Sequence, residues 1–224
     1  MIESTVEAGL RVVTLDRPAR RNALTPAALA DLLAAVEAAT EPVVYLAGAG
    51  EAFCAGADLD VVDSLDGDSA AAFARQGQRV AGALASYDGV VVAGIDGPAR
   101  GGGVELALAC DLRVGTPAAT FAESGVTHGL FGAWGGTARL PRIVGEGVAM
   151  ELSLSGRVLD ADEAHRVGLL SRVVDDPRAI AASVLDSDTR ALQTIKRRLR
   201  DTAPVAEQTE REAEAFADLV ERRE

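Results

Sequence analysis

Residues 94–111 read Gly-Ile-Asp-Gly-Pro-Ala-Arg-Gly-Gly-Gly-Val-Glu-Leu-Ala-Leu-Ala-Cys-Asp and continue an apolar stretch that begins at Gly89. Residues 89–95 contain no polar side chain, and such an unbroken apolar run is typical of a strand in a parallel sheet that is covered on both faces. The glycines then predict a bend, and residues 104–109 predict a short, fully buried helix. The order of strand, glycine-rich bend and helix favours an α/β fold.

A second stretch repeats this order. The apolar residues 43–47 predict a buried strand, and they are followed by Ala52-Phe-Cys-Ala-Gly-Ala-Asp-Leu59. Amide groups at the start of a helix lack intrahelical partners and carry partial positive charge. Two such turns that converge would hold one oxygen between two amides, which is an oxyanion hole. Many turns of this kind serve only packing, so this alternative stays open.

A dinucleotide site is disfavoured at the same turn. Gly48-Ala-Gly50 begins a glycine fingerprint, but Phe53 stands where the third glycine is needed.

Glu105 is the only charged residue within residues 101–110. A carboxylate near a helix N-terminus is stabilised by the helix dipole, which is a purely structural explanation. Burial of a carboxyl group raises its pKa toward a range that suits proton transfer. The sequence therefore predicts Glu105 as an acid/base group beside the candidate oxyanion hole.

The rest of the chain extends the α/β pattern and then becomes helical. We predict strands at 10–15, 112–115, 120–121 and 171–174, a helix from Thr25-Pro26 to about residue 40, and a helix over 69–87. Two amphipathic helices are expected from about residue 187. We therefore divide the chain into an α/β unit, residues 1–186, and a helical region, residues 187–224.

Composition excludes several classes of partner. The net charge of −12 disfavours nucleic acid and anionic membrane surfaces as partners. Cys54 and Cys110 lack metal-type spacing and are interpreted as packing residues, so we expect no metal site. The N-terminal residues do not resemble a signal peptide, and the apolar stretches are too short to span a bilayer. We expect a cytoplasmic protein.

Six motifs together resemble the crotonase, or enoyl-CoA hydratase/isomerase, superfamily, and they occur in the order of that family. Besides residues 52–59 and 94–111 they are Leu15-Asp-Arg-Pro-Ala-Arg-Arg-Asn-Ala-Leu24, Gly135-Gly-Thr-Ala-Arg-Leu140, Leu154-Ser-Gly-Arg157 and Ala164-His-Arg-Val-Gly-Leu169.

The resemblance implies a spiral of ββα units with C-terminal helices that build a homotrimer, often doubled into a homohexamer. It implies an acyl-CoA substrate, with coenzyme A as part of the substrate and no permanently bound cofactor. The oxyanion hole then falls on the amides of Ala57 and Gly102, and Glu105 matches the first catalytic glutamate of the hydratases. The residues expected at the coenzyme A site are Arg17, Arg20, Arg21, Ala55, Asp58 and Leu59, and those expected in the acyl pocket are His128 and Trp134.

One position departs from the hydratase pattern. The second catalytic glutamate of the family aligns with Gly125. Glu123 lies two residues earlier, which on an extended segment keeps the same face, so we predict it as the substitute acid. His128 is another candidate, whereas His165 lies outside the motifs and is interpreted as structural.

The leading hypothesis is reversible addition of water to an enoyl-CoA. Two alternatives remain open. The first is another reaction through a thioester enolate, namely isomerisation, decarboxylation or C–C bond cleavage, because the missing acid at Gly125 would leave room for a larger substrate. The same gap weakens the isomerase alternative, since the isomerases of the family keep this second acid. The second is an acyl-CoA-binding protein without catalysis.

Overall fold

The computed structural model describes residues 1–222. The strands are β1 (Ile2–Glu7), β2 (Leu10–Leu15), β3 (Val43–Gly48), β4 (Val90–Ile95), β5 (Pro98–Arg100), β6 (Leu112–Gly115), β7 (Thr120–Ala122) and β8 (Arg172–Val173). The helices are α1 (Pro26–Glu37), α2 (Leu59–Val62), α3 (Gly67–Ser86), α4 (Gly102–Ala109), α5 (Gly136–Val144), α6 (Glu146–Ser155), α7 (Ala161–Arg166), α8 (Pro177–Val184), α9 (Thr189–Leu199) and α10 (Val205–Glu221). Short 3₁₀ helices span Pro18–Arg20 and Ser124–His128.

Two sheets organise these elements. The larger has six strands in the order β1-β2-β3-β4-β6-β8, and only the β1–β2 pair is antiparallel. The smaller pairs β5 with β7 in parallel, with Pro98 opposite Thr120 and Arg100 opposite Ala122. The carboxyl ends of β5 and β7 therefore lie side by side, which brings the triple glycine next to Glu123.

The large sheet is covered on both faces, as its apolar strands predict. All six residues of β4 are buried. One face packs against α1 and α3 through residues such as Leu32 and Val80, and the other packs against α8 through Ala181. The buried helix α4 lies beside α3 and α5. Its close packing fixes the position of the triple glycine from which it starts.

Helix boundaries follow the local capping chemistry. Thr25 caps α1, as predicted, by accepting a hydrogen bond from Ala28 N at 3.2 Å. Helix α3 starts two residues earlier than predicted because Asp66 and Ser69 form a capping box, in which each side chain accepts from the other's backbone N–H at 2.9 Å.

Two strands escaped the sequence-based prediction. Five of the six residues of β1 are exposed, so β1 lacks the apolar alternation that marks a half-buried strand. Strand β5 is only three residues long and forms because β7 lies beside it. Both depend on pairing with residues distant in sequence, which local patterns do not reveal.

The last two helices carry exposed apolar side chains. Leu199 is 82% exposed and Phe216 is 71% exposed. Helix α9 is nevertheless tied to the core, because Lys196 Nζ donates to the carbonyl oxygens of Tyr87 (2.6 Å) and Gly89 (2.8 Å) and pairs with Asp111 (2.8 Å). Within residues 1–222, no helix is both long and apolar enough to cross a membrane.

Candidate active site

The two glycine-rich turns meet backbone to backbone. A Cβ on Gly56 would lie 2.6 Å from Arg100 O and 2.9 Å from Gly102 N, and one on Gly103 would lie 2.8 Å from the Cβ of Cys54. Gly56 also has φ of +85°, a conformation that disfavours other residues. Glycine is therefore required at these positions for the two turns to approach each other.

Asn22 holds the first of these turns in place. Its side-chain amide donates to the carbonyl oxygens of Ala49 (2.9 Å), Ala52 (2.8 Å) and Phe53 (3.2 Å), and its Oδ1 accepts from Arg17 N (2.9 Å). The side chain is almost completely buried. It thus joins the arginine-rich loop to the turn that precedes Ala57.

Two amides at the junction remain available to a ligand. Within residues 1–222, neither Ala57 N nor Gly102 N donates a hydrogen bond to another residue. Both residues line a cavity of about 430 Å³. The other residues of its wall are Arg21, Ala55, Leu59, Val62, Leu65, Ala70, Phe73, Ala74, Arg100, Gly101, Glu105, Ser124, Gly125, His128, Leu130, Phe131, Gly132, Ala133 and Trp134.

Glu105 is fixed in this wall by the start of α5. Its Oε1 accepts hydrogen bonds from Trp134 N at 2.7 Å and from Gly136 N at 2.6 Å. Burial raises the pKa of the Glu105 carboxyl group above its usual value, although the two amide donors oppose this shift. The amides occupy Oε1 and leave Oε2 for a ligand.

Glu123 faces Glu105. Its carboxyl group is buried where the chain leaves β7, and its Oε1 has no hydrogen-bond partner among the described residues. Burial, together with the nearby charge of Glu105, raises the pKa of Glu123 to about 8. Glu105 Oε1 and Glu123 Oε2 each lie 3.0 Å from the point that a Cβ on Gly132 would occupy. Gly132 is the position at which the two carboxyl groups converge.

Glu123 lines a second, smaller cavity of about 30 Å³ that adjoins the first. Phe131 and Gly132 belong to the walls of both cavities. The loop 130–132 therefore separates the unpartnered oxygen of Glu123 from the larger cavity.

Gly125 is crowded. A Cβ at this position would lie 3.0 Å from Phe131 Cα and 3.1 Å from Leu130 O. The absence of a side chain lets the 130–132 loop lie close to the 3₁₀ helix that carries Ser124 and His128. His128 is exposed and lines the larger cavity.

Trp134 lines the larger cavity. The residue is 3% exposed, and its ring meets the ring of Phe73 edge to face, with the ring centroids 5.9 Å apart. The arrangement gives the cavity one rigid aromatic wall.

The predicted coenzyme A residues divide into two groups. Arg21, Ala55 and Leu59 line the cavity, whereas Arg17 and Arg20 pair with the buried Asp58 at 2.5 and 3.3 Å. The pKa of the Asp58 carboxyl group is lowered, mainly by its hydrogen bond from Arg17. The charge of Asp58 therefore stabilises the arginine-rich loop and does not face the cavity.

The sequence profile of the enoyl-CoA hydratase/isomerase family matches residues 5–222. The chain belongs to the enoyl-CoA hydratase/isomerase family. It is 36% identical over 201 residues to the crotonyl-CoA hydratase of Syntrophomonas wolfei, an alignment that covers 85% of this chain and 77% of that one. It is also 36% identical over 174 residues to the short-chain-enoyl-CoA hydratase of Clostridium acetobutylicum, covering 75% and 67% respectively.

The enoyl-CoA hydratase fold is confirmed by a solved structure. The enoyl-CoA hydratase of Bacillus anthracis superposes with a TM-score of 0.93 at 28% identity, covering 99% of this chain and 92% of that one. Together with the relatives above, this establishes an enzyme of the enoyl-CoA hydratase type that acts on CoA thioesters. No group of three or more potential metal ligands occurs within the described part of the chain.

Three contributors to the site were not assigned a role from the sequence. Asn22 and Arg100 lie inside family-like motifs, but nothing in their local pattern shows what they contact. Gly132 follows an apolar pair, and only the tertiary structure places it between two carboxyl groups. Asn22 lies about thirty residues before the turn that it holds, and no sequence pattern indicates a contact over that distance.

Proposed function

We propose that this enzyme adds water reversibly across the α,β double bond of an enoyl-CoA thioester. The observation that carries this proposal is the convergence of Glu105 and Glu123 on Gly132, near two amides that have no hydrogen-bond partner among residues 1–222. Two carboxyl groups that share a water molecule can deliver a hydroxyl group and a proton to adjacent carbons.

The amides of Ala57 and Gly102 would bind the thioester oxygen and stabilise the enolate that forms during addition. Glu105 Oε2 takes a proton from water, and the resulting hydroxide bonds to the β-carbon. The electron pair of the double bond moves into the thioester. The α-carbon then takes a proton from Glu123, and this step requires the 130–132 loop to shift when the substrate binds, because that loop separates Glu123 from the larger cavity. Transfer of one proton from Glu105 to Glu123 restores the starting state, and the reverse sequence dehydrates the product.

The environments of the two carboxyl groups support different roles. With a pKa of about 8, Glu123 holds a proton at neutral pH and is suited to donate it. Glu105 accepts two amide hydrogen bonds, which favour its ionised form and suit it to act as the base. Glu123 thus supplies the acid that the family's pattern would place at residue 125.

This proposal is tested with Glu105→Gln and Glu123→Gln, using crotonyl-CoA as substrate. Loss of a general acid or base typically lowers the rate about 10²- to 10⁴-fold, and we expect kcat to fall in this range for each variant. Glu146→Gln, at an exposed position in the first turn of α6, is the matched control. Wild-type rates in Glu105→Gln would refute the assignment of the base, and wild-type rates in Glu123→Gln would refute that of the second acid.

The absence of an acid at residue 125 favours a second candidate, another reaction through the same enolate, namely isomerisation, decarboxylation or C–C bond cleavage. Mass spectrometry of the products separates these reactions. Hydration adds the mass of one water molecule, isomerisation leaves the mass unchanged, and the other two reactions shorten the acyl group. A product without added water from every enoyl-CoA tested would favour this candidate.

We also infer a homotrimer or homohexamer in a reducing compartment such as the cytoplasm. The exposed apolar side chains of α9 and α10 support self-association, and the two free, buried cysteines support a reducing environment. Light scattering that gives the mass of a single chain would refute the oligomer.

A further inference from the structure

Arg100 is a half-buried cation in the wall of the larger cavity. It is the last residue of β5 and precedes the triple glycine directly. Its Nη1 donates to the carbonyl oxygens of Ala99 and Thr120, each at 2.9 Å, and its Nη2 donates to Thr120 Oγ1 at 3.1 Å. These three acceptors are neutral, so they orient the guanidinium without compensating its charge.

One edge of this guanidinium is free. The group has five N–H donors in a planar fork, and a carboxylate or phosphate accepts two parallel bonds from one edge of such a fork. Thr120 occupies the edge between Nη1 and Nη2. The opposite edge consists of Nε–H and the second hydrogen of Nη2, and no residue in 1–222 accepts from it. The geometry is therefore prepared for a bidentate anion.

The surrounding charges point in the same direction. Arg100 makes no ion pair with an acidic residue of the described chain, and neither does Arg21, which lies in the same cavity wall. By contrast, the neighbouring Arg17 and Arg20 are paired with Asp58. Burial, and secondly the positive charge of the nearby Arg21, lower the pKa of Arg100. An anion between the two arginines offsets the repulsion of their charges.

We propose that Arg100 and Arg21 together bind one anionic group of the thioester substrate, with Arg100 as its bidentate ligand. This inference rests on the proposed use of an acyl-CoA. The anion is a phosphate of the coenzyme or a carboxylate on the acyl group, and these two share the same recognition chemistry. The phosphate fits the placement better, because the guanidinium folds back to Thr120 at the start of β7, whereas the acid pair lies beyond the strand ends.

Calorimetric binding of saturated thioesters tests this proposal, because these ligands bind without being hydrated. The ligands are butyryl-CoA, S-butyrylpantetheine, which lacks the phosphates, and glutaryl-CoA, which carries a terminal carboxylate. The variants are Arg100→Met and Arg100→Lys. Arg142→Met is the matched control, since Arg142 is an exposed arginine on α5 that does not line the cavity.

If the anion is a phosphate, Arg100→Met weakens the binding of butyryl-CoA on the order of 10- to 100-fold, which is the effect expected from loss of a pair of charge-assisted hydrogen bonds. The same substitution leaves the binding of S-butyrylpantetheine unchanged. Arg100→Lys recovers part of the lost affinity because lysine keeps the charge but lacks the planar guanidinium group. For a carboxylate, Arg100→Met removes a preference of the wild type for glutaryl-CoA and leaves butyryl-CoA unchanged. Both results support the anion site and identify its ligand.

Equal weakening of all three ligands, or no weakening of any, would overturn the proposal. If Arg100→Met does not fold, Thr120→Val replaces it. This substitution removes only the Oγ1 acceptor, so a smaller loss with the same ligand pattern is expected, and any other pattern overturns the proposal. Retained binding without hydration of crotonyl-CoA would refute the proposed reaction but not the anion site.

Discussion

Gly77 of α3 lies so close to Trp134 that a Cβ at residue 77 would overlap the indole ring. The ring in turn packs on Gly102, where a Cβ would also overlap it. Trp134 is therefore held between a helix of the core and a donor of the candidate oxyanion hole. Because the Trp134 amide also binds Glu105, displacement of the ring would disturb both halves of the site.

Gly77→Ala and Gly82→Ala form a matched pair on the same helix. Alanine at residue 82 meets no atom within 4 Å, so we expect the free energy of unfolding to rise by about 0.5–1 kcal/mol through helix propensity. Alanine at residue 77 forces the indole to move, and overpacking of this kind costs about 1–3 kcal/mol. Urea unfolding of both variants checks this difference. Equal stability of the two would contradict the tight contact.

Trp134→Ala enlarges the cavity. The loss of a buried aromatic ring is expected to cost about 3–5 kcal/mol of stability. The space gained allows a longer acyl chain, so kcat/KM for an eight-carbon enoyl-CoA should rise relative to that for crotonyl-CoA. Measuring kcat/KM for both substrates tests the assignment of Trp134 to the acyl pocket. An unchanged ratio in a folded variant would contradict it.

Gly132→Ala places a methyl group between the two carboxyl groups. Its Cβ would lie 2.8 Å from Glu105 Cδ and 3.0 Å from Glu123 Oε2, so one of these groups has to shift. We expect kcat for crotonyl-CoA hydration to fall at least about 10-fold, since small displacements of catalytic groups are costly. Gly147→Ala is the control, because its Cβ would meet nothing within 4 Å. Full activity of Gly132→Ala would show that the convergence at Gly132 is not needed.

Glu123 makes stability depend on pH. Between pH 4.5 and about 8 the unfolded chain loses this proton while the folded protein keeps it. The free energy of unfolding therefore falls as pH rises through this range, by at most about 1.4 kcal/mol per pH unit, and the contribution levels off above the folded pKa. Glu105 contributes in the same direction, because its pKa is also raised.

Glu123→Gln removes its part of this dependence. We expect the variant to be more stable than the wild type at pH 8 and the difference to vanish near pH 4.5. Thermal unfolding across this pH range measures it. Parallel stability curves for the two proteins would contradict a buried, protonated Glu123.

Asn22→Asp tests the link between the arginine-rich loop and the first turn. The substitution keeps the size and the Oδ1 acceptor, but it turns an oxygen toward the carbonyl groups of Ala52 and Phe53. Unpaired buried polar groups cost about 1–3 kcal/mol each, so we expect a loss of at least about 2 kcal/mol and a lower kcat. Chemical unfolding and hydration kinetics check both effects. Wild-type stability would show that the three carbonyl groups find other partners.

The local sequence determined the apolar strands, the glycine-rich turns and the isolated Glu105. Strands β3 and β4 were predicted to within about a residue because a parallel strand buried on both faces leaves a continuous apolar run. Strand β2 was predicted from its β-branched residues. The cap of α1 and the burial of α4 were likewise visible, since capping and apolar periodicity depend on near neighbours. The six motifs in order were sufficient to identify the family and its fold.

The tertiary structure alone decided which groups meet. It paired β5 with β7 and placed Glu123 opposite Glu105 across Gly132. It also paired Arg17 with Asp58, whereas one edge of the Arg100 guanidinium has no acceptor in the described part of the chain. None of these relationships has a local signature, because each joins residues separated along the chain. The sequence therefore indicated which residue types take part in the site, whereas only the fold showed which of them lie next to each other.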